Sequence, residues 1–561
     1  MKLLIVVCLF LGISFQAIAK SSASFIISGV SDKALANVEK RLEEVQQEKS
    51  LASSTPEELR LHVLNALQPF GYFKAQVSVR IVGAEKAVIN ISPGPFTYIT
   101  SLEIKVSGDG ANNPLIQKTL KEITLHVGDP LLMPDYNKAK LSITNTAESL
   151  GYLHGTYTKS EIIIKENNTA QVTLIFNTGP LFYFGQVQFN PSNIRPDLLH
   201  RFVPFQYKQT YSTDLVLKLN NDLSSSGYFS SVLVKPQITD SQTTVPIDVQ
   251  LRPVPKYSYS LGAGYGTDTG IRGRAGLYVV PVNEKGHKFN AIAQGSFTQN
   301  ALQAQYLIPG KNPVTDQYNI TGNFSNLNYS SGYSNAYLLS LGQQHNLDWY
   351  KRALSLNALY ESFNYSQQPN SYEFMLYPKA KWTFRKTTNP LFSPTGYSIS
   401  LTALGASKTF LSSNSFAQGS LDAKAAYMIK PIKLRLYVHA LQGITAINDI
   451  NQLPLSLALL LGGTDNMKAF SFNSIGPGKT ISYAGFELQK EVVKNWYAIA
   501  FYDAGDVYNP SLKSILYDAG AAVMWVSPIG PIKLGLAQEI SQTFQRVGSS
   551  PRLVISMGPD L

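Results

Sequence analysis

Nine consecutive residues, Ile432-Lys433-Leu434-Arg435-Leu436-Tyr437-Val438-His439-Ala440, alternate between an apolar and a polar side chain. Residues 397–403 repeat the pattern, with Ser398, Ser400 and Thr402 between apolar neighbours. A period of two is that of a β-strand, and strands with one apolar and one polar face are typical of membrane barrels, which meet lipid outside and a polar lumen inside. The pattern therefore predicts transmembrane β-strands in the C-terminal part of the chain.

Turn-forming clusters separate these strands at 283–286, 309–310, 330–332 and 392–396. About 19 residues for each strand with its connection, over roughly 305 residues, give about 16 strands. Beyond the N-terminal leader the chain has no apolar run of the ~18 residues that a membrane helix needs. A chain that enters a membrane without such helices does so as a closed barrel, because closure satisfies every backbone polar group in lipid. We therefore expect a transmembrane antiparallel β-barrel over residues 255–561.

The N-terminus has the three parts of a secretory signal. Lys2 provides a positive charge, residues 3–15 form a largely apolar core of 13 residues, and Ala17-Ile18-Ala19 is a small-x-small cleavage site. The core is shorter than the roughly 20 residues that span a bilayer, which favours cleavage over an uncleaved anchor helix. Because Cys8 is the only cysteine and lies in the predicted signal, residues 1–19, the mature protein should form no disulfide and have no thiol chemistry.

The composition argues against several other classes of protein. The formal net charge of +11 is spread along the chain rather than gathered in one run, which argues against nucleic-acid binding. The 7 histidines are scattered without metal-ligand spacing, and neither a Gly-x-Ser-x-Gly elbow nor paired cysteines occur. The sequence therefore predicts no metal, no cofactor and no enzymatic activity.

The N-terminal part of the chain repeats one phrase, as Gly71-Tyr72-Phe73, Gly151-Tyr152-Leu153 and Gly227-Tyr228-Phe229, spaced by 80 and 76 residues. Each copy follows a helix-like segment and precedes a strand-like one, and glycine suits the left-handed residue that commonly ends a helix. Spacings of this length predict three small domains in series rather than a solenoid.

Each predicted domain has an amphipathic helix before its glycine. Apolar side chains recur at helical spacing, and Ser54 or Thr55 together with Glu58 forms a start signal for the first of these helices. The predicted helices and their apolar faces are 56–67 with Leu59, Val63 and Leu67, 135–150 with Leu141, Thr144 and Leu150, and 213–223 with Leu215, Leu219 and Leu223. Strands rich in β-branched residues follow at 76–82, 157–164 and 231–238.

The order strand, helices, strand, strand over roughly 75 to 80 residues resembles the polypeptide-transport-associated (POTRA) domain. The resemblance implies three such α+β domains, at 20–94, 95–178 and 179–254. Each would have an open sheet edge, which can pair with an extended peptide by β-augmentation. The alternative is a spacer that only holds the barrel at a distance.

One segment of the barrel region departs from plain hairpin patterns: Leu461-Gly462-Gly463-Thr464-Asp465-Asn466-Met467-Lys468-Ala469-Phe470-Ser471-Phe472. It resembles the signature loop of the BamA/TamA superfamily of barrel-assembly and two-partner-secretion proteins, which has Gly-Gly, a few polar residues and a Val-Arg-Gly-Phe-like tetrad. Met467-Lys468-Ala469-Phe470 stands in the place of that tetrad. Three later motifs also match the superfamily: Tyr483-Ala484-Gly485-Phe486-Glu487, Phe501-Tyr502-Asp503-Ala504-Gly505-Asp506 and Trp525-Val526-Ser527-Pro528-Ile529-Gly530-Pro531-Ile532-Lys533-Leu534.

The resemblance implies a latch inside the barrel, in which an arginine of the loop meets carboxylates on barrel strands. The matching positions are Lys468 and Phe470 in the loop with the turn residues Gly462 and Gly463, and Glu487 and Asp503 on the strands. Lysine keeps the charge of arginine but lacks its bidentate fork, and Ala469 in place of glycine disfavours positive φ. The alternative is an ordinary exposed loop with solvated charges.

The resemblance also implies a lateral gate, where the first barrel strand, near 257–265, pairs with the last, near 552–558, and closes the barrel. Glycines are frequent in the first strand, and glycine weakens strand pairing. A seam that opens sideways offers an unpaired edge to which a client strand can add. The predicted gate residues are Tyr257, Tyr259, Leu261, Gly262, Gly264, Leu553, Ile555 and Gly558.

Within the superfamily, three POTRA domains point to the TamA family, since BamA has five and the secretion pores have two. This resemblance implies an outer-membrane factor that helps to insert and translocate autotransporter-like or other barrel clients, with its arm in the periplasm. The implied partners are a TamB-like inner-membrane-anchored protein, unfolded outer-membrane proteins and outer-membrane lipid. The alternative functions are a secretion pore of the two-partner type, a contribution to lipid transport between the membranes and, third, a purely structural outer-membrane tether.

Overall fold

The computed structural model describes residues 24–48, 50–83, 85–190, 193–366, 368–509, 515–540, 550–559 and 561. The predicted signal at 1–19, with Cys8, lies outside these residues. Within them, no helix is both long enough and apolar enough to cross a membrane. The chain forms two compact units, one of residues up to 188 with 205–217 and 236–247, and the other of 189–204, 218–235 and 248–561.

Three small sheets with their helices make up the N-terminal arm, as predicted for POTRA domains. The elements are β1 (Ser24–Ser28), α1 (Asp32–Glu48), α2 (Pro56–Leu67), β2 (Gln76–Val82) and β3 (Lys86–Ser92) in the first domain; β4 (Tyr98–Ser107), α3 (Pro114–Glu122), α4 (Met133–Ser149), β5 (Thr156–Ile164) and β6 (Thr169–Asn177) in the second; and β7 (Tyr183–Asn190), α5 (Pro196–His200), α6 (Thr213–Ser225), β8 (Phe229–Pro236) and β9 (Thr244–Pro253) in the third. The strand orders are β1-β3-β2, β4-β6-β5 and β7-β9-β8. The last strand in sequence is therefore the central strand of each sheet.

The repeated glycine ends a helix in the left-handed conformation in all three domains, as predicted. Gly71, Gly151 and Gly227 have φ values of +86°, +93° and +75°. The carbonyl of Gly71 accepts the N–H of Thr97 at 3.1 Å, and the carbonyl of Gly151 accepts the N–H of Phe182 at 2.9 Å. Each of these bonds ties the end of a helix to the first strand region of the following domain. In the first two domains the repeated phrase is therefore also a joint between neighbours.

Gly151→Ala is expected to weaken the joint between the second and third domains. A Cβ at 151 would lie 2.7 Å from the carbonyl oxygen of Tyr211, and the φ of +93° already disfavours alanine. Backbone strain of this kind costs about 1 to 3 kcal/mol. Hydrogen–deuterium exchange on the full chain should show faster exchange of the Phe182 amide.

Gly128→Ala is the matched control for this prediction. Gly128 has a similar φ, +98°, but no heavy atom within 4 Å of an added Cβ. It therefore carries the conformational cost without the clash at the joint. Equal exchange of the Phe182 amide in the two variants would contradict the role of Gly151.

The predicted apolar faces are right for two helices and wrong for one. In α2, Leu59, Val63 and Leu67 are buried as predicted, and Thr55 with Glu58 forms the capping box. In α6, Leu219 and Leu223 are fully buried. In α4, by contrast, Leu141 is 59% exposed, and the buried face consists of Tyr136, Ala139, Ile143 and Ala147. The prediction for α4 failed because small alanines, rather than the large leucine, mark the side that packs closely against its sheet.

The described residues after the arm form a 16-stranded sheet in which each strand pairs antiparallel with the next one in sequence. This confirms the predicted strand number. The strands are β10 (Tyr257–Gly266), β11 (Gly270–Val279), β12 (Lys288–Gly295), β13 (Gln299–Pro309), β14 (Asp316–Tyr329), β15 (Gly332–Asn346), β16 (Tyr350–Tyr365), β17 (Ser371–Thr387), β18 (Gly396–Ala406), β19 (Phe416–Ile429), β20 (Leu434–Ile447), β21 (Thr480–Val493), β22 (Trp496–Tyr508), β23 (Leu516–Ser527), β24 (Gly530–Glu539) and β25 (Arg552–Met557).

Strand β20 shows how the alternating pattern is used. Arg435 and His439 are 0% and 2% exposed, whereas Val438 is 43% exposed. Polar side chains of this strand therefore face the inside of the barrel and apolar ones face outwards. Lys433, which the pattern placed in the strand, has a φ of +49° in the preceding turn, so the strand begins at Leu434.

The first and last strands of the barrel meet at one end only. Thr267, just beyond β10, donates its N–H to the carbonyl of Ile555 at 3.4 Å, and the Ile555 N–H donates to Thr267 Oγ1 at 3.1 Å. Among the described residues β10 and β25 form no ladder, so β10 is paired with β11 along one edge and open along the other. A short contact thus replaces the closing ladder expected over 257–265, and β25 has only 6 residues against the 10 of β10.

Candidate functional site

The connection between β20 and β21, residues 448–479, folds back against the inward-facing side chains of the barrel. Leu453, Leu461 and Met467 within it are each 0% exposed. We call this segment the inner loop. Such burial excludes the ordinary exposed loop that the sequence left open as an alternative.

A buried carboxylate holds the first part of the inner loop. Glu361 of β16 is 0% exposed and accepts hydrogen bonds from the Ser456 N–H at 3.0 Å and from the Ser456 hydroxyl. Ser334 of β15 donates to the same carboxylate at 2.7 Å. Tyr365 donates its hydroxyl to the carbonyl of Leu453 at 2.7 Å. Sequence reasoning assigned no role to Glu361, because its partner in the loop is 95 residues away.

Lys468 holds the second part of the inner loop. Its ammonium lies 2.9 and 3.2 Å from the two oxygens of Asp503 and 3.3 Å from Glu487 Oε1. The three side chains are at most 7% exposed. The structure thus brings together the three charges that the superfamily motif predicted, and one lysine bridges both carboxylates. We call Lys468, Glu487 and Asp503 the latch.

Further polar side chains complete the surroundings of Glu487. Lys533 of β24 lies 2.9 Å from Glu487 Oε2, and Gln489 donates to the same oxygen at 2.7 Å. Arg435 donates in turn to Gln489 Oε1 at 2.7 Å. Burial of an ion costs several kcal/mol unless its charge and its hydrogen-bonding sites are satisfied. These partners therefore allow a carboxylate to remain inside the barrel.

A second aspartate faces Asp503 across the sheet. Asp518 of β23 lies directly opposite Asp503 of β22 in the strand register, and its Oδ2 accepts the N–H of Ala469 at 2.8 Å. Sequence reasoning missed Asp518, although a signal was present, since Tyr502-Asp503-Ala504-Gly505 recurs as Tyr517-Asp518-Ala519-Gly520. Because the copies lie on neighbouring strands, the repeat places two carboxylates side by side under the loop.

The two glycines at the start of the signature are required by the turn. Gly462 and Gly463 have φ values of +110° and +118°, and a Cβ on Gly462 would lie 2.2 Å from the Ser471 carbonyl oxygen. In the tetrad, Met467 has the positive φ, at +36°, and Ala469 does not. The alanine that replaces the superfamily's glycine is therefore accommodated without left-handed strain.

Tyr483 links the latch to the apolar part of the inner loop. Its hydroxyl donates to Asp503 Oδ1 at 2.9 Å, and its ring packs in a cluster with Leu461 and the partly buried Phe470. Gly485 makes this arrangement possible, because a Cβ there would lie 2.1 Å from the Tyr483 hydroxyl and 2.3 Å from Asp503 Oδ1. The glycine of the motif thus provides space for the latch rather than flexibility.

The predicted gate residues of the first strand line its open edge. Tyr257, Tyr259 and Leu261 are 56%, 76% and 88% exposed. Gly262 and Gly264 are paired on their other side with β11. None of these five residues is hydrogen-bonded to β25 in the part of the chain that the structure describes.

The predicted gate residues of the last strand are paired with β24. Leu553 and Ile555 lie opposite Leu536 and Leu534, and Gly558 follows the strand with a φ of +138°. Of the predicted set, Ile555 is the residue that the structure brings to the opposite side of the seam, through Thr267. Sequence reasoning missed Thr267.

The arm of three small sheets, the 16-stranded antiparallel sheet and the loop held against its inward-facing side chains together define the class of a β-barrel with an N-terminal α+β arm. Comparison with family models names the family: the Omp85 superfamily domain matches residues 227–558, and the chain belongs to the Omp85 superfamily. Two further models match the arm, POTRA domain TamA domain 1 over residues 24–93 and the surface antigen variable number repeat over 182–253. The barrel therefore lies in the outer membrane and the arm in the periplasm.

One solved structure shows the same fold, and a second aligns with the chain more loosely. BamA from Haemophilus ducreyi lacking POTRA domains 1–3 aligns with a TM-score of 0.68 at 16% identity, over 82% of this chain and 98% of that one. CdiB from Acinetobacter baumannii aligns with a TM-score of 0.48 at 11% identity, over 95% of this chain and 99% of that one. The likeness to BamA confirms the predicted fold. Members of the superfamily assemble or secrete outer-membrane proteins.

Proposed function

We propose that this protein is a TamA-like assembly factor that helps to insert and translocate autotransporter-like or other barrel clients through a lateral gate between β10 and β25. The observation that carries the proposal is the incomplete seam, in which Thr267 contacts Ile555 while residues 257–265 keep an open edge. The match of the first domain to a TamA-type POTRA model supports the TamA family.

The open edge provides a physical reason for a client to bind. Each unsatisfied backbone polar group costs several kcal/mol in hydrocarbon, so an unpaired strand edge in the membrane attracts another strand. A client strand that adds to β10 satisfies groups on both chains by β-augmentation. The client leaves when its own strands close into a barrel, since closure then satisfies the same groups internally. This cycle makes and breaks hydrogen bonds only and requires no catalytic residue.

The inner loop supports exit through the barrel wall rather than along an open lumen. Glu361 and the latch hold it at two places among inward-facing side chains. A segment fixed in this way obstructs passage through the lumen, which disfavours a simple secretion pore. We infer that the latch keeps the lumen closed to solutes while the seam between β10 and β25 opens for a client.

The arm is the proposed docking site of a TamB-like, inner-membrane-anchored partner. The edges of its sheets are β1 and β2 in the first domain and β4 and β5 in the second. Such edges carry backbone groups that an extended partner strand can pair with. A partner bound there would deliver or hold clients on the periplasmic side.

Depletion of this protein followed by quantitative outer-membrane proteomics tests the proposal. Loss of a few autotransporter-like or complex barrels is expected for a TamA-like factor. Loss of nearly all barrels would instead identify a general assembly machine. An unchanged barrel inventory would reject assembly and favour secretion or lipid transport, which the exported proteins and the lipid composition of the two membranes would then distinguish.

A further inference from the structure

An ion pair crosses the seam at the end where the first and last strands meet. Asp268 lies in the turn between β10 and β11, Arg552 is the first residue of β25, and Arg552 Nη2 is 2.9 Å from Asp268 Oδ1. The side chains of Arg552 and Asp268 are 19% and 13% exposed, so salt screens them less than a surface pair. A charge-assisted hydrogen bond is roughly twice as strong as a neutral one. The pair therefore outweighs the long backbone contact of Thr267 beside it.

The same two side chains also hold the inner loop. Asp268 Oδ2 accepts the N–H of Thr464 at 2.8 Å and its hydroxyl at 2.7 Å. Arg552 Nη1 donates to the carbonyls of Lys468 at 2.9 Å and Phe470 at 2.5 Å. Each charged group thus uses one atom for the seam and another for the loop. Three parts of the barrel, the first hairpin, the last strand and the inner loop, are joined at one point.

We propose that Asp268 and Arg552 form a clasp that couples the inner loop to the seam, so that release of either one weakens the other. The proposal rests on the proposed function, in which the seam is the gate. The loop atoms that the clasp binds belong to Thr464, Lys468 and Phe470, so displacement of the latch residue Lys468 also withdraws hydrogen-bond partners from the clasp.

Thermodynamic linkage requires that the coupling between the inner loop and the seam be reciprocal. When the loop leaves, Asp268 Oδ2 and Arg552 Nη1 lose partners in a partly buried place, which is costly for charged groups. When β10 and β25 separate, the inner loop can stay with only one of them, so it loses its hydrogen bonds either to Asp268 or to Arg552. If one event changes the equilibrium of the other by some factor, the reverse effect has the same factor. A client that parts the strands would therefore loosen the latch, and a loosened latch would ease the entry of a client.

Lys424 provides a matched control, because it pairs with the inner loop away from the seam. Lys424 Nζ of β19 is 2.8 Å from Asp465 Oδ1. Within the described residues neither side chain is hydrogen-bonded to β10 or β25. Lys424→Met therefore removes an ion pair of the same loop and leaves the clasp complete.

Spin-label distances across the seam test the clasp. Cysteines replace Leu261 and Leu553, which are 88% and 47% exposed on the two sides of the seam. The full mature chain is labelled, placed in lipid nanodiscs and measured by double electron–electron resonance in the unaltered background and in Asp268→Asn, Lys468→Met and Lys424→Met. Because the sole native cysteine is Cys8 in the predicted signal, no other thiol should take the label.

Asp268→Asn and Lys468→Met are both expected to raise the population of long distances, on the order of tenfold, and Lys424→Met to leave it unchanged. A seam unaffected by Lys468→Met would overturn the coupling, as would an equal effect of Lys424→Met. Circular dichroism verifies that each variant is folded. If Asp268→Asn does not fold, Arg552→Lys replaces it in the measurement, because lysine keeps the charge but lacks the bidentate fork of arginine. The measurement needs no client, so the clasp and the assembly function can fail separately.

Discussion

Lys468→Met should release the inner loop from the latch carboxylates and destabilise the barrel. The substitution keeps most of the volume of the side chain but removes the cation that Asp503 and Glu487 share at 2.9 and 3.3 Å. Removal of one partner of a buried ion pair costs about 3 to 5 kcal/mol. Here Asp503 loses its cation, whereas Glu487 keeps Lys533. We expect a lower thermal midpoint by circular dichroism and much faster cleavage of residues 448–479 by proteinase K.

Lys468→Arg is the control for this substitution. It retains the charge, restores the residue type of the superfamily's tetrad and offers a fork to the Asp503 carboxylate. Its loop should resist the protease and its assembly activity should be close to that of the native chain. A methionine variant with a native midpoint and a protected loop would show that the latch charges contribute nothing to the position of the loop.

A disulfide across the seam should abolish assembly while leaving the barrel intact. The Thr267 N–H donates to the Ile555 carbonyl at 3.4 Å and the Ile555 N–H donates to Thr267 Oγ1 at 3.1 Å, so these two residues are neighbours across the seam. A disulfide can join them if their Cα atoms lie within about 7 Å. Cysteines at both positions would covalently close the one place where β10 and β25 meet. Client assembly in cells should be lost under oxidising conditions and return when a reductant opens the bond.

A second disulfide separates the seam from the effect of a cross-link as such. Gly322 and Leu339 lie opposite each other in β14 and β15, strands that are already fully paired. Cysteines at these positions add a bond of the same kind without touching the seam, and assembly should continue. Full activity with the seam disulfide completely formed would refute a gate between β10 and β25.

Strand periodicity predicted the barrel well, because a residue's side of a membrane sheet depends only on its parity along the strand. The superfamily motifs, rather than parity, assigned Glu487 and Asp503 to the inside of the barrel, where Lys468 of the inner loop contacts them. Among the three predicted helices of the arm, α4 was given the wrong buried face. In α4 the side facing the sheet is marked by Ala139 and Ala147, whose small size permits close approach, and hydrophobicity alone selected Leu141 instead.

The parts of the site that escaped prediction depend on contacts between distant residues. Arg552 and Asp268 are 284 residues apart, and only the closure of the barrel brings them together. Glu361 likewise sits on a strand without any motif. Asp518 could have been predicted from the sequence, since its Tyr-Asp-Ala-Gly context repeats that of Asp503. Local motifs thus identify residues that are close together in sequence. The seam, by contrast, is formed by the first and last strands of the barrel, which are far apart in sequence.

The mismatch in length between β10, with 10 residues, and β25, with 6, has a kinetic consequence. When one nucleic-acid strand displaces another, it first binds an unpaired toehold and then advances into the occupied region. In the proposed gate, residues 257–265 would be a toehold of this kind, because a client could pair there before the Thr267 contact to Ile555 is broken. Net gains of about 1 kcal/mol per hydrogen bond accumulate along the free edge and offset the loss of that contact and of the Asp268–Arg552 ion pair. Client entry can therefore proceed by stepwise exchange, without prior departure of the resident strand.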